Sequence, residues 1–232
     1  MISQFLAKTL LFCTLILLCD PASAEQSVQV LPVQQGIRVI IHKPRVSLKA
    51  QTSTTFSAWI DSKYSQFPTE KDSPALQKIR VYLAVPAGGD LPVTLNVLHT
   101  QYLGNKQLAQ SGELSGAPAS RSLLLSRPTP VKMSATLRRM GIERGVPVAE
   151  LEIQPFAYTT DGELSVMDSA SIDIGFGAAV PVTSARLAPL DQSSLSHIAN
   201  QQQIPSIIEQ RKNDGRKFNS TLGLQTTDRS WY

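Results

Sequence analysis

One short run, Ile79 to Val85, constrains the fold of this chain more than anything else in it. It reads IRVYLAV, with Ile79, Val81, Leu83 and Val85 at alternate places and Arg80 and Tyr82 between them. Side chains that alternate in this way belong to a strand with one face buried and the other wet. The period of two recurs along the chain. Thr54 to Ile60 puts Phe56, Ala58 and Ile60 on one face, and Val93 to Leu98 does the same with Val93, Leu95 and Val97. Gly36 to His42 (GIRVIIH) is rich in β-branched residues and stops before Pro44, and Pro86-Ala87-Gly88-Gly89 breaks the Ile79 run. Further on come Val148 to Phe156 (VAELEIQPF), Leu164 to Met167 and Ser171 to Phe176 (SIDIGF), with Asp161-Gly162 as a hairpin turn. Short strands with turn signals between them predict an all-β domain over 25–180, an antiparallel β-sandwich of jelly-roll-like character. Its buried positions should include Val81, Leu83, Val85, Leu95, Val97, Leu151, Ile153, Ile172 and Ile174.

Three stretches depart from this pattern. Residues 1–24 have the parts of a secretory signal: Lys8, the apolar run Thr9 to Cys19, and small residues at Ala22-Ser23-Ala24. The run falls well short of the roughly 20 residues of a membrane-spanning helix. The expectation is cleavage after Ala24, read through Ala22 and Ala24, and export to the periplasm, cell surface or medium with no stable membrane anchor. Leu18 ahead of Cys19 argues against lipid attachment there. Gly104 to Pro130 is rich in Gly, Ser, Ala and Pro around the apolar island Leu123 to Leu125, and reads as a long loop. Residues 181–232 read as a short helical or irregular tail. In it Ser193 to Gln203 would form a short helix, and Pro205 suits the first position of a second. Gln-, Ser- and Lys/Arg-rich sequence should pack poorly there and be cut readily, at Arg211, Lys212, Arg216 or Arg229. The aromatic ending Trp231-Tyr232 gives the expectation that a further domain follows.

Chemistry is sparse. Both cysteines, Cys13 and Cys19, fall within the signal, so the exported chain would have neither a disulfide nor a thiol nucleophile. A chain of this length buries a sizeable core without such staples. The net charge of +4 is scattered rather than gathered into a stripe with aromatics, which argues against a nucleic-acid partner. His42, His99 and His197 have no metal-ligand spacing, and no cofactor is expected. Glu150 and Glu152 share a strand face, which reads as solvated rather than as a carboxylate pair. Asp161 and Glu163 flank a turn and lack the oxygen ligands of a calcium loop. Asn219-Ser220-Thr221 fits a glycosylation pattern that arises easily by chance. No nucleophile elbow, phosphate loop or dinucleotide fingerprint is present. The residues alone describe a binding or structural module rather than an enzyme.

The order of segments also resembles a known family. Ser73-Pro74-Ala75-Leu76, Ile79 to Val85, Pro86-Ala87-Gly88-Gly89 and Val93 to Val97 are similar to the opening elements of the propeptides of gingipain-family secreted cysteine peptidases. Arg144-Gly145-Val146-Pro147-Val148, Leu151 to Tyr158 (LEIQPFAY), Leu164-Ser165-Val166 and Ile172-Asp173-Ile174 resemble that family's ending: an Arg-Gly element, a strand, a Pro-x-x-Tyr corner and two final strands. The resemblance spans roughly Gly36 to Gly177. It implies a non-catalytic β-sandwich prodomain that assists the folding of a cognate cysteine peptidase domain, in cis or in trans. It also implies that the prodomain keeps the zymogen latent by covering the active-site cleft, with a basic loop residue in the specificity pocket. Arg121 and Arg127 are the candidates for that residue. The rival reading is a stand-alone extracytoplasmic β-sandwich that binds a surface protein or glycan.

Overall fold

The structure, a computed structural model, describes residues 27–67, 73–110, 129–180, 187 and 193–221, the last of these by backbone alone beyond 213. Its elements in chain order are β1 (Val28–Val33), β2 (Gly36–His42), β3 (Val46–Ala50), β4 (Thr55–Ile60), β5 (Ser65–Gln66), β6 (Lys78–Ala84), β7 (Val93–Asn105), β8 (Gln107–Leu108), β9 (Ser134–Glu143), β10 (Val146–Gln154), β11 (Phe156–Tyr158) and β12 (Glu163–Gly175). A 3-10 turn at Gln201–Gln203 then leads into helix α1 (Ile204–Thr221). Among the described residues the fold is an all-β sandwich. One sheet runs β1-β2-β12-β11, with β7 on the other edge of β12, and the facing sheet runs β5-β6-β10-β9. A smaller sheet, β3-β4-β8, carries the parallel pair β4–β8.

Alternation in the sequence maps onto the layers. Ile37, Val39 and Ile41 of β2, Ile79, Val81 and Leu83 of β6, and Leu151 and Ile153 of β10 are wholly buried. Leu164, Val166, Ala170, Ile172 and Ile174 of β12 close the core from the first sheet. Outer-face residues pair instead across strands, as Arg38 does with Asp173 at 2.6 Å. In β10 the buried set shifts phase from Val146 and Val148 to Ala149, Leu151 and Ile153. The register against β9 slips between Val148 and Ala149, and a bulge of this kind moves every later side chain to the other face.

Two expectations about β7 are corrected. Val97 is 39% exposed rather than buried, and Leu95 is only half-buried. The strand is paired on one edge alone, and its register on β12 slips at several points, so it runs past the facing sheet instead of lying under it. The loop expected from Gly104 is corrected at its start, where Gly104 and Asn105 end β7 and Gln107–Leu108 form β8, and residues 111–128 of it lie outside the described residues.

The C-terminal stretch is corrected as well. Leu195, Ile198, Ile204 and Ile207 lie at 1% exposure or less and belong to the sandwich core. Ile204, Ile207 and Ile208 follow helical spacing and turn one face of α1 to the sandwich. Pro205 sits in the first turn of α1, as expected. Ahead of it, residues 196–203 form a strap across the free edge of β6. Ile198 bridges Tyr82 in parallel, and the Ala199 amide donates to the Tyr82 carbonyl at 2.9 Å. The Asn200 amide completes the edge: its Oδ1 accepts from Ala84 N at 2.8 Å and its Nδ2 donates to Ala84 O at 2.9 Å. The same Nδ2 donates to Gln203 Oε1 at 3.0 Å, and Gln203 Nε2 reaches the carbonyls of Gly36, Val33 and Val180 at 3.2–3.5 Å. One polar relay thus joins both sheets at the same end.

Candidate functional site

Between β8 and β9 the described residues on either side of 111–128 are hydrogen-bonded into the sandwich. On the departing side, Ala109 is buried, its amide donates to Phe56 O at 2.8 Å, and its carbonyl accepts from Ala75 N at 2.8 Å. On the returning side, Val131 and Tyr158 exchange both backbone hydrogen bonds, at 2.8 and 2.9 Å. The Tyr158 ring is buried, and its hydroxyl donates to Lys106 O at 3.0 Å. Lys106 N in turn donates to Gly162 O at 2.8 Å. Gly162 has φ +85, and a Cβ there would stand 3.3 Å from the Lys106 carbonyl. The corner tyrosine and the turn glycine together hold Lys106, between β7 and β8.

β7 and β9 each end a sheet, β7 paired only with β12 and β9 only with β10 among the described strands, and the two approach each other. They carry most of the exposed large apolar side chains of the described surface: Val97, Leu98 and Tyr102 on β7, Met140 and Ile142 on β9. Leu98 is 72% exposed and Ile142 60%, on strands with unpaired backbone edges. Such an edge is a template for another chain unless something covers it. Arg139 of β9 folds back over the turn after β6, donating to the carbonyls of Pro86 at 2.7 Å and Gly89 at 2.8 Å, with Ala87 and Gly88 farther off. That guanidinium ties the entry to β7 onto β9 and fixes how the two edges lie. The β9–β10 turn is tight, with Arg144 at φ 46 and Gly145 at φ 81 between the paired Glu143 and Val146. Left-handed backbone at both central positions is the primed hairpin turn, which explains an Arg-Gly pair at this point.

The paired glutamates of β10 also differ from expectation. Glu150 is 6% exposed rather than solvated, with Arg138 at 3.5 Å and the Tyr82 hydroxyl as its partners. Burial first, and the bond to Glu150 second, push the Tyr82 phenol above its usual value. Burial acts to raise the Glu152 carboxyl, but Lys78 at 2.8 Å and Arg80 at 3.0 Å outweigh it and hold the group below the ordinary range. Both glutamates are tied up in outer-face ion pairs and form no carboxylate site. His42, His99 and His197 are exposed and lie apart; His99 meets Asp168 and His197 meets Glu143, each at 3.1 Å. No group of metal-binding side chains gathers among the described residues.

Of the site residues predicted from sequence, Arg211 and Lys212 stand exposed on α1, and Arg211 Nη1 donates to Gly145 O at 2.8 Å. Arg216 lies on α1 with its side chain outside the described residues. Ala22, Ala24, Arg121, Arg127 and Arg229 lie outside them altogether. What sequence reasoning missed is the apolar edge: Ser134–Glu143 was not read as a strand, because Arg138, Arg139 and Gly141 interrupt its alternation.

Among the described residues the chain is a two-sheet sandwich with two open edge strands, β7 and β9. Two solved structures share this fold. One, described as structural insight into zymogenic latency of gingipain K from Porphyromonas gingivalis, aligns at 19% identity with a TM-score of 0.51, over 68% of this chain and 96% of that one. The other, a complex of the Porphyromonas gingivalis RgpB pro- and mature domains, aligns at 17% identity with a TM-score of 0.51, over 76% of this chain and 98% of that one. This chain has a gingipain-prodomain-like fold. No protein-family model and no curated protein matches it in sequence.

Proposed function

We propose that the chain is the non-catalytic prodomain of an exported gingipain-like cysteine peptidase, which it helps to fold and keeps latent by covering the active-site cleft. The observation that carries this reading is the apolar edge formed by β7 and β9, together with Ala109 and Val131, which flank residues 111–128 and are hydrogen-bonded into the sandwich. An inhibitor needs a surface that keeps its shape before docking, since ordering on contact erodes affinity. The backbone bonds of Ala109 and Val131, and the Tyr158 hydroxyl, supply that rigidity on either side of 111–128. A basic residue of the loop, Arg121 or Arg127, would anchor the complex on a carboxylate in the specificity pocket, and Leu98 and Ile142 would exclude water around it. The cut that frees the peptidase would fall in or beyond α1, at Arg211, Lys212, Arg216 or Arg229.

The test is inhibition in trans of the peptidase produced with this prodomain. The purified chain should itself hydrolyse no peptide and should inhibit that peptidase. Either Arg121→Ala or Arg127→Ala should weaken inhibition at least tenfold, and Leu98→Asp with Ile142→Asp should do so as well, with the fold intact by circular dichroism. If both arginine variants inhibit like the wild type, the loop anchor is wrong. If the wild type does not bind the peptidase, the prodomain reading falls.

A further inference from the structure

At the opposite edge of the second sheet, a cavity of about 560 Å³ lies between β1, the residues leading into β5, the outer face of β6 and the strap. Its volume is that of a site for a small organic ligand, for which roughly 300–1,000 Å³ is usual. Its described lining includes Lys63 and Arg80 but no Asp or Glu. Arg80 shares the carboxylate of Glu152 with Lys78, at 3.0 and 2.8 Å, and the lining residues Tyr82 and His197 meet Glu150 and Glu143. Lys63 sits 4.8 Å from the centre of the Tyr64 ring and has no carboxylate partner among the described residues. Lys63 is thus the lining cation left to meet an anion.

The remaining groups narrow the class. Tyr64, Tyr82 and His197 present rings, the last two packed edge to face with centroids 5.7 Å apart. Of the lining amides, Asn200 and Gln201 are engaged with the fold. Gln66 and Gln202 are exposed, and no described residue hydrogen-bonds their side chains. A free carboxamide offers two donors and an acceptor in one plane, suited to neighbouring hydroxyl groups. The Lys63 cation, ring faces and free amides in one cavity match a ligand with a carboxylate, a C–H-rich ring and vicinal hydroxyls.

We infer that this cavity is a binding site for an acidic saccharide, with a uronate carboxylate held by Lys63, the sugar ring against Tyr64, and hydroxyls on Gln66 and Gln202. None of β7, β9, Ala109 or Val131 lines it, although His197 of the lining pairs with Glu143 at the end of β9.

The experiment is a nitrogen-15 NMR titration of the chain from Glu25 onward with digalacturonate, and in parallel with neutral galactobiose and with acetate. Saturable shifts should appear at the amides of Tyr64 and of Ser196 to Gln202. Digalacturonate should bind at least tenfold more tightly than either control. Lys63→Gln and Tyr64→Leu should each weaken it at least tenfold while the spectrum elsewhere is unchanged. Absence of saturable shifts with digalacturonate overturns the inference, as does equal affinity in Lys63→Gln. Acetate binding as tightly as digalacturonate overturns it too, since the cavity would then be an anion site without sugar recognition.

Discussion

Replacing Asn200 by Ala removes the side-chain join between the strap and Ala84 and leaves the Ile198–Tyr82 bridge in place. Asn200 is 1% exposed and Ala84 wholly buried, so both backbone groups of Ala84 lose their partner where water has little access. A buried polar group left unsatisfied costs about 1–3 kcal/mol. Two such groups, with the Gln203 acceptor partly freed, give about 3–4 kcal/mol. That is a large share of the roughly 5–15 kcal/mol by which domains are stable. With a urea m-value of about 2 kcal/mol/M, the midpoint should fall by about 1.5–2 M at unchanged m. Gln203→Ala should cost less, about 1–2 kcal/mol, because its bonds of 3.2–3.5 Å are long and shared among three carbonyls. Gln201→Ala, at a half-buried side chain with one bond of 3.2 Å to Leu195 O, serves as the control. An Asn200→Ala protein within 0.5 kcal/mol of wild type, a threshold well under the cost of one unsatisfied group, would refute the docked strap.

Leu83→Ala should cost about 2–5 kcal/mol, read from the same urea midpoints, since Leu83 is wholly buried between the sheets. Glu152→Gln tests the outer-face ion pairs through pH. The folded carboxyl lies below its ordinary 4.5, so its contribution is present at neutral pH and is lost as pH falls from about that value through the lower folded one. The variant should therefore be less stable than wild type at neutral pH and equal to it in strong acid; a gap that persists in acid would refute the assignment. Limited trypsin digestion should leave a fragment that retains the strap and ends at or after Arg211, because Ile204 and Ile207 are held in the core. Early cuts upstream of Leu195 that release the strap would count against it.

The central strands were legible because their burial is one-sided and their alternation survives intact. Ile79 to Val85 and Ile172 to Ile174 announce the core that they form. The strands that escaped are those at the edges. β9 presents Arg138, Arg139, Met140 and Ile142 to solvent, so neither face of it is uniformly apolar and no period can be read from its sequence. Val97 was misjudged for the related reason that alternation reports which face a residue is on, not whether anything lies opposite that face. The strap escaped because its bonds are made by Asn200 and Gln203, whose amides satisfy backbone groups in the interior, while their composition reads as a solvated linker.

The candidate site was legible in its framework and not in its surface. The Pro-x-x-Tyr corner and the Asp161-Gly162 turn are sequence signals, and both prove to hold Lys106, through the Tyr158 hydroxyl and the Gly162 carbonyl acting on its two sides. Fixing Lys106 also fixes where β7 ends and β8 begins. The apolar edge has no comparable signal, because an exposed Leu98 or Ile142 differs from a buried one only in what the fold brings against it. In a chain that stood alone, unpaired edge strands with exposed leucine and isoleucine would invite pairing with other copies. Lysines, prolines and inward charges are the usual protection, and between Leu98 and Tyr102 β7 has none of these except His99, bound to Asp168. The edge is therefore better matched to a surface that a partner covers than to one that remains in water, which is why the inhibitory reading is assigned to β7 and β9 and not to the polar cavity behind the strap.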